Sequence, residues 1–388
     1  MMPAILVFNA GSSSVKFALY VQATLDILCR GQIANIGIRA EFSATGVLAS
    51  KLTSTFSPPL AGNHDELTRW LLKTIARELT EIEICAAGHR VVHGGARFTD
   101  AARITPEVMV ELETYIPLAP NHQPHNLAAI SSVAASWPDI VQFACFDTAF
   151  HRTQPRVAEI FALPRALSDE GILRYGFHGL SYSYIANVLP EIIGERSAGR
   201  IVVAHLGHGA SLCAMVNRCS LGTSMGFTPL DGLMMGKRCG NLDPGVVLYL
   251  LQHKGMTAAQ VGHLLSNESG LLGVSGVSDD IRELRASDSP SAGEALDLFV
   301  HCATRELGAL IATIGGLDTL VFTAGIGENS AFIRQRIADR FAWLGAAIDG
   351  AANEADETLI STAESKIEVL VVPTNEELVI AQAAAEFI

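Results

Sequence analysis

A few short glycine-bearing blocks hold the residues of this chain best suited to chemistry. Arg90 lies in Gly88-His89-Arg90-Val91-Val92-His93-Gly94-Gly95, at the end of an apolar run where a glycine pair lets backbone yield to a ligand. Asp147 follows the apolar run Val141 to Phe146, with His151 just beyond it. A carboxylate at a strand end is a frequent place for chemistry in open α/β sheets, and also a common helix cap. His178 stands in Tyr175-Gly176-Phe177-His178-Gly179, whose glycines imply a backbone path that exposes both the aromatic ring and the imidazole. Arg238 lies in Gly236-Lys237-Arg238-Cys239-Gly240, downstream of the glycine-rich, apolar Met225 to Gly232, a composition that suits a ligand loop. Each side chain also has a structural reading, the arginines as partners of carboxylates and the histidine as a packed ring.

Two further blocks suit phosphate. Ile5 to Tyr20 reads as a buried strand, a tight turn over Gly11 to Ser14, and a return strand alternating through Val15, Phe17 and Leu19. Gly11 permits close backbone approach, Ser12 to Ser14 offer hydroxyl and N–H donors, and Lys16 adds a cation just past the turn. Standing alone, it reads as an ordinary polar hairpin. Ile201 to Met215 repeats the design half a chain later, with Gly207-His208-Gly209 as the turn and Ser211 behind it. Two such hairpins, one near the start of each half, imply a duplicated two-domain architecture with a nucleotide in the cleft. Leu320 to Ser330 is a strand running into a Gly325-x-Gly327 turn, then a helix through Phe332, Ile333 and Ile337, an arrangement that binds anions and nucleotides. It lacks the third glycine of a dinucleotide fingerprint, and no Gly-x-x-x-x-Gly-Lys-Ser/Thr occurs.

The elements that must position these blocks follow from periodicity. Residues 21 to 62 carry short strand-like segments closed by Pro58-Pro59. A helix is expected over Asp65 to Leu79 and a buried strand over Ile82 to Val92. A helix capped by Thr105 begins at Pro106 and ends near Tyr115. Pro117, Pro120 and Pro124 then predict an extended loop holding Asn121, His122 and His125. Helices are expected from Asp243-Pro244, over Met256 to Ser266, and over Glu294 to Ile314. Ile367 to Val372 is a strand. The closing helix Thr374 to Ile388 starts with a Thr374–Glu377 capping box that leaves Glu376 spare in the first turn.

The 388 residues suffice for two domains, and 49% hydrophobic against 17% charged residues supports large cores. A net charge of −13 without any dense Lys/Arg cluster argues against nucleic acid and anionic membrane as partners. The seven cysteines are scattered and never form Cys-x-x-Cys, which fits reduced thiols in a cytoplasmic protein. No signal peptide is expected, and Gly315-Gly316 with Asp318 break the nearly uncharged Gly308 to Gly327 into helix end, turn and strand.

Taken together and in order, Asn9-Ala10-Gly11-Ser12-Ser13-Ser14-x-Lys16, Gly88 to Gly95, Phe146-Asp147-Thr148-Ala149-Phe150-His151, Tyr175 to Gly179, Gly325-Ile326-Gly327-Glu328-Asn329 and Thr374-Asn375-Glu376-Glu377 give a chain that resembles the acetate kinase family from first strand to last helix. The resemblance implies a duplicated α/β fold, actin-like and sugar-kinase-like, with a nucleotide cleft between domains 1–151 plus 375–388 and 152–374. It implies ATP/ADP and Mg²⁺, with Mn²⁺ as an alternative, a small carboxylate substrate, and a homodimer. By position, Asn9 and Glu376 would hold the metal, and Lys16 and Ser12 the nucleotide phosphates. His205, Leu206, Gly207, His208 and Gly209 would also hold phosphates. Asp280, Ile281 and Arg282, with Gly325, Ile326, Gly327, Glu328 and Asn329, would hold adenosine. Arg90, Arg238 and His178 would clamp the acyl carboxylate and the migrating phosphoryl group beside a catalytic Asp147. Val92, Asn121, Phe177 and Pro229 would line the acyl pocket. Phosphoryl transfer needs positioning and cationic stabilisation, and a carboxylate nucleophile is already ionised at neutral pH. Asp147 is therefore expected to orient Arg90 or a magnesium-bound water.

The chain departs from the family pattern at His208, where the family carries asparagine, at Asn121, where it carries leucine, and at Leu180-Ser181-Tyr182, where it carries Thr-Ser-His. The polar Asn121 predicts use of propionate or another short acid beside acetate. Rival readings on the same fold are a sugar kinase or a phosphatase, which would have little use for paired arginines, and a non-enzymatic actin-like nucleotide switch. Zinc at His89/His93 or His122/His125 is disfavoured, since neither pair has a third ligand in register.

Overall fold

Continuous and alternating apolar runs build two mixed sheets, each at the centre of its own unit, in a computed structural model that describes residues 1–11, 14–53 and 63–388. The segment around Pro58-Pro59 lies outside the described residues.

One unit comprises Met1–Phe150 and Asn375–Ile388. Its strands are β1 (Met2–Ala10), β2 (Val15–Val21), β3 (Ile27–Ala34), β4 (Glu41–Thr45), β5 (Ile82–Val91), β6 (Ala102–Arg103) and β7 (Val141–Phe146), in the order β4-β3-β2-β1-β5-β7-β6. β1 is buried throughout its middle because it pairs on both sides, antiparallel with β2 and parallel with β5. The β1–β2 register places Asn9 opposite Lys16. The helix His64–Glu78 starts with a capping box between Asn63 and Glu66, and buries Leu67, Leu71, Leu72 and Ile75 against Phe8, Phe17 and Leu19.

Pro124 does not sit in an extended loop. It occupies the first turn of the helix Gln123–Ser136, where its missing N–H costs nothing, and so His125 is helical. The last helix, Glu376–Glu386, is capped by Asn375, whose Oδ1 accepts from Leu378 N at 3.1 Å. The expected Thr374–Glu377 capping box is absent, because Thr374 N–H is already given to Glu328 Oε1 at 3.1 Å and the chain turns helical one residue later.

The other unit is His151–Thr374. Its sheet runs β10 (Cys219–Thr223), β9 (Ala210–Val216), β8 (Ile201–Leu206), β11 (Thr319–Thr323), β12 (Glu368–Val371). β8 pairs antiparallel with β9 and parallel with β11, and β11 runs parallel to β12. The order and senses match those of β3-β2-β1-β5-β7, so the duplication inferred from the two hairpins is carried by the whole sheet plan. The Gly325-x-Gly327 segment is not a turn but part of the short helix Ala324–Asn329, which leaves β11 directly. No described helix is long and apolar enough to cross a membrane.

Candidate active site

In the first unit the chemistry gathers at the C-terminal ends of β1, β5 and β7 and at the start of the last helix. Gly11 N donates to Ser14 O at 2.8 Å and closes the first turn; Ser12 lies outside the described residues. Lys16 is exposed and Asn9 half-buried. Arg90 is the penultimate residue of β5, with a guanidinium held by Asp147 through Nε to Oδ1 at 2.8 Å and Nη2 to Oδ2 at 2.7 Å. Asp147 is 2% exposed, while Glu376 Oε2 lies 3.7 Å from Arg90 Nη1 on the other side. Burial disfavours the Arg90 charge, but Asp147 and Glu376 more than offset it, so the group stays protonated well above its ordinary value. Burial pushes the Glu376 carboxyl up, with Arg90 opposing and Asp147 reinforcing the shift.

Sequence reasoning missed the groups that hold these loops. Asn126, 2% exposed, donates from Nδ2 to Ala10 O at 2.7 Å and accepts from Val92 N at 3.0 Å, so one side chain ties the first turn to the strand carrying Arg90. Gln123 accepts from His93 N and donates to His93 O, and His64 Nε2 donates to Gly11 O at 2.9 Å. A buried asparagine and glutamine at the start of a mostly apolar helix were the available signal. Val92 is buried beside this cluster. Asn121 is exposed in the preceding turn and makes no side-chain hydrogen bond to a described residue, so nothing ties its side chain to Arg90.

In the second unit, Gly207 N donates to Gly209 O at 3.0 Å to form the second turn, with Leu206 buried behind it. The His178 and His205 rings stack with centroids 4.2 Å apart. Their Nδ1 atoms meet Ser211 Oγ and Ser181 Oγ, each at 2.8 Å. His178 sits at φ 58, in the left-handed region, and Gly176 at φ 74. The unusual path is therefore present, but it leaves only the imidazole half-buried: Phe177 is 1% exposed, packed inward. A Cβ on Gly209 would lie 3.2 Å from His178 Nε2 and 3.6 Å from Arg238 Nη2, so both side chains converge on this turn, where glycine gives them the most room. Arg238 Nη1 donates to Pro229 O at 2.8 Å. Arg174 reaches Asp231 Oδ2 at 3.0 Å and anchors the loop that carries Pro229.

His208 Nε2 meets Asp279 Oδ2 at 3.0 Å, with Lys237 Nζ 3.6 Å from the same oxygen. Asp280 caps the helix Ile281–Ala286 and holds the exposed Arg282 by three side-chain hydrogen bonds, while Ile281 points into the core. Glu328 Oε1 accepts from Ala324 N at 2.7 Å and Asn329 Nδ2 donates to Gly325 O at 2.9 Å, so both side chains brace their own helix. Arg334, fully buried, donates to the carbonyls of Gly327 and Glu328 and to Asn353 Oδ1. A charged residue between the apolar Ile333 and Ile337 was the overlooked sign of this brace.

The profile of the Acetokinase family matches residues 4–382. An acetate kinase of Rhodopseudomonas palustris (strain TIE-1) is 52% identical over 389 residues, 98% of each chain. Among solved structures, a propionate kinase from Francisella tularensis subsp. tularensis SCHU S4 superposes with TM-score 0.92 at 36% identity over 100% of both chains. An acetate kinase from Porphyromonas gingivalis gives TM-score 0.86 at 37% identity over 98% of both.

Proposed function

The chain belongs to the acetokinase family, and from that premise we propose that it reversibly transfers the γ-phosphoryl group of ATP to the carboxylate of acetate, giving acetyl phosphate and ADP. The observation that carries the reading is the convergence of His178 Nε2 and Arg238 Nη2 on the Gly207–Gly209 turn. Those donors meet the charge that spreads over the equatorial oxygens during transfer. Arg90, fixed by Asp147 through Nε and Nη2, keeps Nη1 for the acyl carboxylate, and Asp147 orients rather than deprotonates, since the acceptor is already an anion.

In this reading Asn9 and Glu376, both half-buried oxygen donors, would hold magnesium, which takes one or two protein oxygens and completes its shell with water and phosphate. Bound there, the ion would neutralise phosphate charge. Lys16 and Gly207 to Gly209 hold the nucleotide phosphates in this reading, and Asp280 to Arg282 with the helix Ala324–Asn329 hold adenosine, largely through backbone.

A homodimer is supported by the helix Pro244–Gln252, which carries no charged residue and buries none of its own. Val246, Leu248 and Tyr249 are 41%, 52% and 50% exposed, a face that a second copy would cover. Seven free thiols fit a reducing, cytoplasmic setting.

A hydroxamate trap for acyl phosphate, run with ATP and Mg²⁺ with and without acetate, tests the reading; acetate-independent ATP turnover would replace it with a nucleotide switch. The same assay across short acids tests the Asn121 departure. Propionate should reach at least roughly a tenth of the acetate kcat/KM, the scale of one methylene in a hydrophobic pocket. Strict acetate preference would reject a role for that polar residue.

A further inference from the structure

Ser211 lies wholly buried on β9 with its hydroxyl between two groups, His178 Nδ1 at 2.8 Å and the Tyr182 hydroxyl in direct hydrogen-bonding contact. Among the described residues these are the partners of Ser211 Oγ. A serine hydroxyl owns one proton, so the chain Tyr182–Ser211–His178 has a direction. It runs either from the phenol to the imidazole or from an Nδ1–H back to the phenol. A phenol is a stronger donor than an aliphatic hydroxyl, and an unprotonated imidazole nitrogen is a stronger acceptor than a phenol oxygen. The favourable order is Tyr182 O–H to Ser211 Oγ, then Ser211 O–H to His178 Nδ1.

We propose that Tyr182 and Ser211 are positioning residues that fix His178 as the tautomer carrying its proton on Nε2, so that an N–H rather than a lone pair faces the Gly207–Gly209 turn. The consequence is chemical: a lone pair aimed at a phosphoryl oxygen repels it, whereas an N–H donates to it. The fold adds a second constraint. The helix Gly179–Ile193 supplies both Tyr182, acting through Ser211 on His178, and Ser181, whose hydroxyl meets Nδ1 of the stacked His205. One helix start thus sets two imidazoles held at ring-stacking distance. The inference rests on His178 acting as a hydrogen-bond donor to the phosphoryl group, but the tautomer itself can be read without turnover.

Nitrogen-15 histidine labelling of the full chain, with the His178 signals assigned through His178→Gln, reports directly which ring nitrogen carries the proton. The wild-type protein should show Nε2 protonated and Nδ1 bare. In Tyr182→Phe the serine proton loses its fixed direction, so a population protonated on Nδ1 should appear, and kcat should fall about tenfold, the worth of one hydrogen bond, with KM for ATP little changed. Ser211→Ala should give the same spectral change if Tyr182→Phe folds poorly. A purely structural tyrosine would lower the melting temperature and leave the tautomer where it was. Nδ1 protonation in the wild type, or an unchanged tautomer in either folded variant, overturns the proposal. The correct tautomer without acetate-dependent hydroxamate would instead overturn the kinase reading and leave this assignment standing.

Discussion

Asp147 grips Arg90 by a two-pronged hydrogen bond, and the carboxylate doing so is almost wholly shielded from water. The pairing fixes the plane of the guanidinium and leaves Nη1 uncommitted to that carboxylate. Asp147→Asn keeps the size but loses one acceptor and the charge. Its kcat for acyl phosphate formation should fall roughly 10²-fold, as for loss of one preorganised electrostatic group, with KM for the acid rising more than KM for ATP. Steady-state hydroxamate kinetics checks this, and a variant with near-normal turnover would remove Asp147 from the site.

Arg238→Ala removes a cation from the Gly209 turn while leaving the turn's backbone intact. Turnover should drop roughly 10³-fold, the scale of an arginine acting on transferring phosphate, and ATP affinity measured by calorimetry should stay near normal. Retention of a tenth of wild-type turnover contradicts the assigned role.

Asn126 bridges Ala10 O and Val92 N, so removing it leaves both backbone groups buried and unpaired. Asn126→Ala should destabilise the protein by about 2–4 kcal/mol in urea unfolding. Asn126→Asp can still accept from Val92 N but meets Ala10 O as an anion unless protonated. Its activity relative to wild type should therefore recover as pH falls, whereas that of Asn126→Ala should not. A flat ratio for the aspartate variant argues against coupling through this side chain.

His89 and His151 are buried, and burial pushes both down from 6.5 to about 4. His89 donates from Nε2 to Gln142 Oε1 at 2.7 Å, while its buried Nδ1 has no partner among the described residues, so the neutral ring fits and the cation does not. Between pH 4 and 6.5 the unfolded chain binds more protons at these sites than the folded one. Stability is therefore lost as pH falls through that window, by roughly 3 kcal/mol for each histidine. Urea unfolding at pH 7 and pH 5 measures it, and His89→Gln should flatten the dependence. Equal stability at the two values would contradict a neutral pair.

The strand-forming blocks were legible because they are long apolar runs with glycine between them, and both hairpins, β5, β7 and the Thr105 cap stand where the pattern puts them. The Arg90–Asp147 relationship was expected from the resemblance and from an acceptor that needs no base, and the structure sets the two residues together where the parallel strands β5 and β7 end. What the sequence hid were contacts between distant segments. Thr374 offers good capping chemistry, but Glu328, remote in sequence, takes its N–H. Pro124 breaks helices in general and starts one here. Phe177 looks exposed between its glycines yet turns inward once His178 adopts the left-handed conformation. Asn126 carries no motif, and Ser211 was visible only as the serine of a hairpin; the importance of each lies in what the fold brings to it.

The helix Glu376–Glu386 lies against strands that precede it by more than two hundred residues, with Ile380 pressed on Gly88 and Phe387 stacked on Phe143. Glu376 thus reaches Arg90 only after the intervening second unit has left the ribosome, which at typical elongation rates takes tens of seconds. The nascent chain cannot acquire its acidic partner early. A chain ending before Asn375 would lack this helix, and so leave uncovered the apolar surface that Ile380 and Phe387 cover.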